Sequence, residues 1–258
     1  WSWSAWDHLV QDTDPNKPNY GVVSENPRKF NINYSNGNGP NQGAGNSDWM
    51  HCNSVDYNAD LDQIMISSAK FCEYWIIDHN LTTEEAATDA GDLLYRWGNP
   101  AAYNQGDVDD QMLFGPHNVQ WIDKNLPGGD NILIFNNGRN RPDGDYSSVD
   151  EIQVPLDGYS YILDENSSYE PSDLFWTYEA PNNSDFFADH ISGCQRLANG
   201  NTLICSGPQG RFFEVNNAGD ILWEYINPVY GNTVLNQGDL PSEGPFGAPS
   251  TITNSVFR

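Results

Sequence analysis

The chain has 258 residues, 38% of them hydrophobic and 13% aromatic, which is ample for a large core and excludes a disordered acidic tail. With 11 Lys and Arg against 36 Asp and Glu, its formal charge is −25, which makes nucleic acid and anionic membrane surfaces poor partners. No stretch reaches the roughly 20 apolar residues of a membrane-spanning helix, so no membrane span is expected.

The chain opens on Trp1-Ser2-Trp3, alternating large and small as an edge strand does. Residues 33–47, rich in Asn and Gly, read as a long polar loop. From His51 onward one grammar recurs three times. Each unit begins with a short apolar strand and a turn of Asp, Asn and Gly. A second strand follows at Ile64-Met65-Ile66, Ile132-Leu133-Ile134 and Thr202-Leu203-Ile204. A third is centred on Tyr74–Ile77, Ile152–Val154 and Phe212–Val215. The fourth is aromatic-x-aromatic leading to a proline: Tyr95-Arg96-Trp97 to Pro100, Trp176-Thr177-Tyr178 to Pro181, Trp223-Glu224-Tyr225 to Pro228.

Four short antiparallel strands recurring at roughly 50–70 residues describe a β-propeller blade. The fold class is therefore all-β, a single propeller domain over 1–258, with full blades at about 51–100, 117–181 and 191–228 and partial blades at both ends. A β-sandwich is the competing architecture, but sandwiches rarely repeat their sequence. Thr82 and Thr83 ahead of Glu85 predict a short capped helix between the third and fourth strands of the first blade. Asn199-Gly200 predicts a two-residue type I′ hairpin. Residues 232–250 read as a second long loop and 251–258 as a lone strand. Propellers close with at least four blades, so the chain is expected to cover part of a ring that further sequence or self-association completes. On this reading Trp1-Ser2-Trp3 is a closing strand of the YRW, WTY and WEY kind.

The four cysteines have no CxxC spacing, which argues against structural zinc. A two-residue turn at Asn199-Gly200 places Cys194 opposite Cys205 for a disulfide, leaving Cys52 with Cys72. Sequons begin at Asn33, Asn80, Asn166 and Asn182. Together with paired cysteines they lean towards a secreted glycoprotein, periplasmic or extracellular.

The five histidines are the scarce reactive groups. Three of them, His51, His117 and His190, stand just ahead of or at the first strand of a blade, the strand that lines a propeller's channel. They are expected to converge on one axial site. Imidazole serves as nucleophile or general acid/base near neutral pH, and Arg is a bidentate donor to oxyanions. Arg139 and Arg141, in the Gly/Asn-rich loop after the second strand of the His117 blade, complete a constellation suited to an anionic tetrahedral group. Zinc or copper is the competing ligand of three histidines, but no HxH or HExxH spacing supports it. No cofactor is expected; the acidic stretches 107–110 and 142–151 leave calcium open, although neither fits an EF-hand loop.

The phrases "DWMHCNSVDYN", "GDLLYRWGNPAAY", "LFGPHNVQWI", "ILIFNNGRNRPDG" and "SGCQRLANGNTLICSGPQGRFFEVN" resemble the arylsulfotransferase (aryl-sulfate sulfotransferase) family over roughly residues 1–230. The resemblance implies a six-bladed propeller and export from the cytoplasm. It also implies ping-pong sulfuryl transfer from a phenolic sulfate donor to a phenol acceptor through a sulfohistidine, without a nucleotide sulfate. His51, His117 and Arg141 match the family's motifs. His190 is the candidate nucleophile by its order along the chain, on flanks that match poorly. Asn53 and Asn118, beside the histidines, are expected to orient them or to meet substrate with Arg139. The other reading is a non-catalytic secreted propeller serving in binding or surface assembly.

Overall fold

The computed structural model describes residues 1–34, 47–158, 160–163, 168–230 and 233–236. The centre of the first polar loop, the Asn166 sequon, most of 232–250 and the strand expected over 251–258 lie outside the described residues. Two short strands, β1 (Leu9–Val10) and β2 (Phe30–Asn31), pair in parallel. Three four-stranded sheets then follow along the chain. The first is β3 (Cys52–Asn58), β4 (Gln63–Ser68), β5 (Glu73–Asp78) and β6 (Tyr95–Trp97). The second takes β7 (His117–Trp121), β8 (Ile132–Asn136), β9 (Ser148–Ile152) and, after the small hairpin β10 (Leu156–Asp157) and β11 (Ser160–Tyr161), β12 (Trp176–Tyr178). The third is β13 (Gly193–Arg196), β14 (Thr202–Ser206), β15 (Arg211–Val215) and β16 (Ile221–Ile226). These are the propeller-like antiparallel sheets that the repeat implies.

The chain packs as two compact units: Trp1–Gln120 with Gln153–Asp173, and Trp121–Ile152 with Leu174–Arg258. The core of the first unit is aromatic. Phe71 meets Trp75 and Phe30 edge-on, at centroid distances of 5.3 and 6.2 Å. Beneath it Arg96 and Glu73, both fully buried, form an ion pair. Trp75 Nε1 also donates to Glu73, and Arg96 Nη1 donates to the carbonyls of Pro27 and Lys29. In the second unit Leu133, Phe135, Val149, Phe186, Ile204 and Phe213 build the core. A second buried pair, Arg196 with Glu151, lies within the same unit.

The short helix Thr83–Ala86 starts where the sequence places it. Thr82 Oγ1 accepts from Glu85 N while the Glu85 carboxylate accepts from Thr82 N, a reciprocal cap. Four expectations need correction. Trp1-Ser2-Trp3 is not a strand; it packs on the inserted segment before β6, with Trp1 Nε1 donating to Leu81 O and Trp3 Nε1 to Gly91 O. Indole donors satisfied by loop carbonyls replace a ladder. The third strand of the second sheet ends at Ile152, because Pro155 follows closely and cannot donate to a ladder.

The Asn199-Gly200 turn is not a two-residue hairpin. Gly200 N bonds Leu197 O and Leu197 N bonds Asn201 O, with Gly200 alone of the two central residues at positive φ (+88°), a longer loop closed through a left-handed glycine. The register of β13 and β14 shifts with it. Cys194 faces Ile204, and Cys205 faces Gly193, so the two thiols fall on opposite faces of the hairpin. Neither expected bridge forms.

Candidate functional site

Each of the three histidine segments enters its strand through a left-handed residue that is not glycine: His51 itself (φ 48°), Asn118 (φ 48°), and Ile191 and Ser192 (φ 46° and 96°). Such backbone is costly and concentrates where geometry serves a function. The repetition at three equivalent places is the sharpest feature of the molecule.

In the first unit His51 Nδ1 lies 2.7 Å from Asp48 Oδ2, and Lys70 Nζ reaches the same carboxylate oxygen at 3.2 Å. The His51 hydrogen bond, followed by that of Lys70, holds Asp48 below the ordinary carboxylate range. His117 Nδ1 lies 3.2 Å from Gly115 O. With acceptors at Nδ1, both rings are set to carry their proton there, which leaves Nε2 as the basic nitrogen. Asn53 joins the two segments: its Nδ2 donates to Pro116 O, and its Oδ1 accepts from Ser67 Oγ. Ser54 Oγ accepts from Val119 N. Asn53 therefore positions the peptide ahead of His117. Asn118 Oδ1 accepts from Gln120 Nε2.

In the second unit His190, with 58% of its side chain exposed, places Nδ1 2.6 Å from Asp189 Oδ1. Buried Asn137 donates to Ala188 O and Ile191 O, on either side of His190. Ser147 Oγ accepts from Ala188 N and donates to Asn137 O. The same loop carries Arg141, whose Nε donates to Tyr146 O and Nη2 to Ser148 Oγ, the guanidinium lying over the Tyr146 ring. Arg141 and His190 thus stand on segments laced together. Arg139 is exposed and makes no ion pair among the described residues.

This loop depends on Gly138. At φ +73° a Cβ there would fall 1.5 Å from Tyr146 O. Gly138→Ala is expected to destabilise the protein by about 3 kcal/mol, from strain and overpacking together; a denaturant midpoint within error of wild type would count against a fixed loop.

Asp48 and Asp189 are absent from the sequence reading. Their signal is a carboxylate one or three residues before a histidine that leads into the first strand of a sheet, in "ADH" and "DWMH". The acidic stretch 107–110 is a local cap, Asp107 and Asp110 satisfying each other's backbone. Among the described residues no group of three His, Cys, Asp or Glu is placed to hold a metal ion, and no helix is long and apolar enough to cross a membrane.

Several solved structures are similar to the chain at low identity. A protein of unknown function from Bacteroides caccae matches at 13% identity and TM-score 0.37, covering 68% of this chain and 45% of that one. The β-propeller domain of Myceliophteria thermophila Cps50 (Swd1) matches at 10% identity and TM-score 0.40, covering 69% and 42%. Virginiamycin B lyase from Staphylococcus aureus matches at 14% identity and TM-score 0.34, covering 71% and 58%. The chain spans less than two thirds of the length of each. No curated protein matches it. The arylsulfotransferase (ASST) family model matches residues 1–228, most of the chain and all three histidine segments. The chain belongs to the arylsulfotransferase family.

Proposed function

We propose that the protein transfers a sulfuryl group between phenols through a sulfohistidine formed on His190, with no nucleotide sulfate. What carries this reading is the threefold histidine pattern, each ring tethered at Nδ1 beside left-handed backbone. His190 Nε2 attacks sulfur, the S–O bond to the first phenol breaks, and a second imidazole protonates the departing phenolate. The acceptor phenol then attacks the same sulfur, its proton passes to imidazole, and His190 is restored. Asp189 stabilises the positive charge that His190 acquires. Arg141, on a segment laced to that of His190, stabilises the sulfuryl oxygens. Export, to the periplasm or beyond, is part of the proposal, supported by exposed sequon asparagines at Asn80 and Asn182.

Incubation with p-nitrophenyl sulfate and a second phenol tests the reaction. Release of p-nitrophenol with formation of the new aryl sulfate is expected; correctly folded protein that sulfates no phenol would sink it. Charge adds a second prediction. The chain carries −25 and the donor is an anion, so their encounter is slowed by repulsion that salt screens over about 10 Å at 0.1 M. Donor kcat/KM is expected to rise about tenfold from very low to moderate ionic strength, with little change for an uncharged acceptor. A falling donor kcat/KM would show that local cations outweigh the net charge.

A further inference from the structure

Within the first unit a cavity of about 870 Å³ opens beside His51. Its apolar walls include Trp6, Trp49, Ile32 and Met50, and its polar groups include Asp48 and His51. Trp6 and Trp49 run nearly parallel, at 27° and 6.3 Å between centroids. Trp49 is held from behind, edge-on to Phe71 at 5.2 Å, and Phe71 is locked in the aromatic core. It is a fixed wall.

Trp6 is the opposite case. It stands 70% exposed in a short turn over Ala5–Asp7, an unusual amount of bare indole surface for a soluble protein. Trp49 Nε1 is itself buried with no hydrogen-bond partner, and buried donors of this kind are normally satisfied. Cys52 also lines the cavity; although exposed by area, its thiol is raised to about 11 by desolvation and then by Asp48, so it offers no thiolate near neutral pH. The cavity is therefore built to hold a ring rather than to attack one.

We infer that this cavity binds an uncharged phenol, its ring stacked on Trp6 and Trp49 and its hydroxyl towards His51. The phenolic identity rests on the sulfuryl-transfer reading; the aromatic ring rests on the two indoles. A phenol keeps its proton near neutral pH, so it enters beside the Asp48 carboxylate without the repulsion a sulfate would meet.

Calorimetric titration with p-cresol, which needs no donor, tests the subsite. Trp6→Ala and Trp49→Ala are expected to weaken p-cresol binding at least tenfold, with Trp49→Phe close to wild type. Trp6 is so exposed that its replacement leaves the core intact, which keeps the test meaningful if Trp49→Ala does not fold. Unchanged p-cresol affinity in both alanine variants overturns the inference, even where sulfuryl transfer persists. Binding lost with the indoles, in a protein that sulfates no phenol, keeps the subsite and discards the reaction.

Discussion

Replacing His190 by alanine is expected to lower transfer from p-nitrophenyl sulfate by roughly 10⁴-fold or more, the scale on which removing a covalent nucleophile acts. The burst of p-nitrophenol that marks sulfohistidine formation should vanish with it. His51→Ala and His117→Ala remove groups that move protons or balance charge, and about 10²–10³-fold is expected from each. The difference in scale is the test of the assignment. Asp189→Asn preserves the hydrogen-bonded shape but not the charge beside the imidazolium, and an intermediate loss of about 10–100-fold follows. If His190→Ala stays within tenfold of wild type while another histidine variant is inert, the nucleophile is the other residue.

A comparably large effect on stability is expected at Arg96. The ion pair with Glu73 has no exposure on either side chain. Removing the guanidinium leaves a carboxylate buried with one indole donor and strands the carbonyls of Pro27 and Lys29. Arg96→Met should cost about 3–5 kcal/mol, which for a chain of this size lowers Tm by roughly 10 °C. The Glu73→Leu/Arg96→Met double variant should cost less, since it leaves no unpaired charge.

The pH dependence has a definite sign. Burial raises the Glu73 carboxyl above its ordinary range, and Arg96 opposes the rise. Without Arg96 the raised value dominates, so stability is fullest below the ordinary carboxyl range and is lost as pH rises through the raised value. The deficit of Arg96→Met therefore shrinks on acidification from neutral pH. Thermal unfolding within about 1 kcal/mol of wild type at neutral pH would show that the pair contributes little.

The periodic part of the fold was legible because it rests on composition that repeats. YRW, WTY and WEY fall in β6, β12 and β16, and the Thr82–Glu85 box starts its helix. What escaped was set by non-repeating contacts. Trp1-Ser2-Trp3 has the alternation of a strand, yet its indoles bond Leu81 O and Gly91 O, partners some 80 residues away. The Asn199-Gly200 turn took the longer loop, a shift of one residue that was enough to separate Cys194 from Cys205. Among the candidate site residues, the histidines and Arg141 stand out by scarcity and position. Asp48, Asp189, Trp6 and Trp49 could not be singled out so easily in a chain rich in acids and tryptophan. Their contacts emerge only when Nδ1 distances and ring planes are known.

The amides that hold the histidine segments carry a consequence for how such a protein can change. Asn53, in the first sheet, grips the peptide before His117, and Asn137, after β8, grips the peptides around His190. The His117 and His190 segments are thus each moored in part by the sheet that precedes them in the chain. A blade gained by duplication would arrive with a ready histidine and with the mooring for its successor, while a blade lost would cast off the histidine of the next. On the proposed function, the histidines and their moorings would be inherited in overlapping pairs, the repeat that counts for chemistry offset from the repeat that counts for folding.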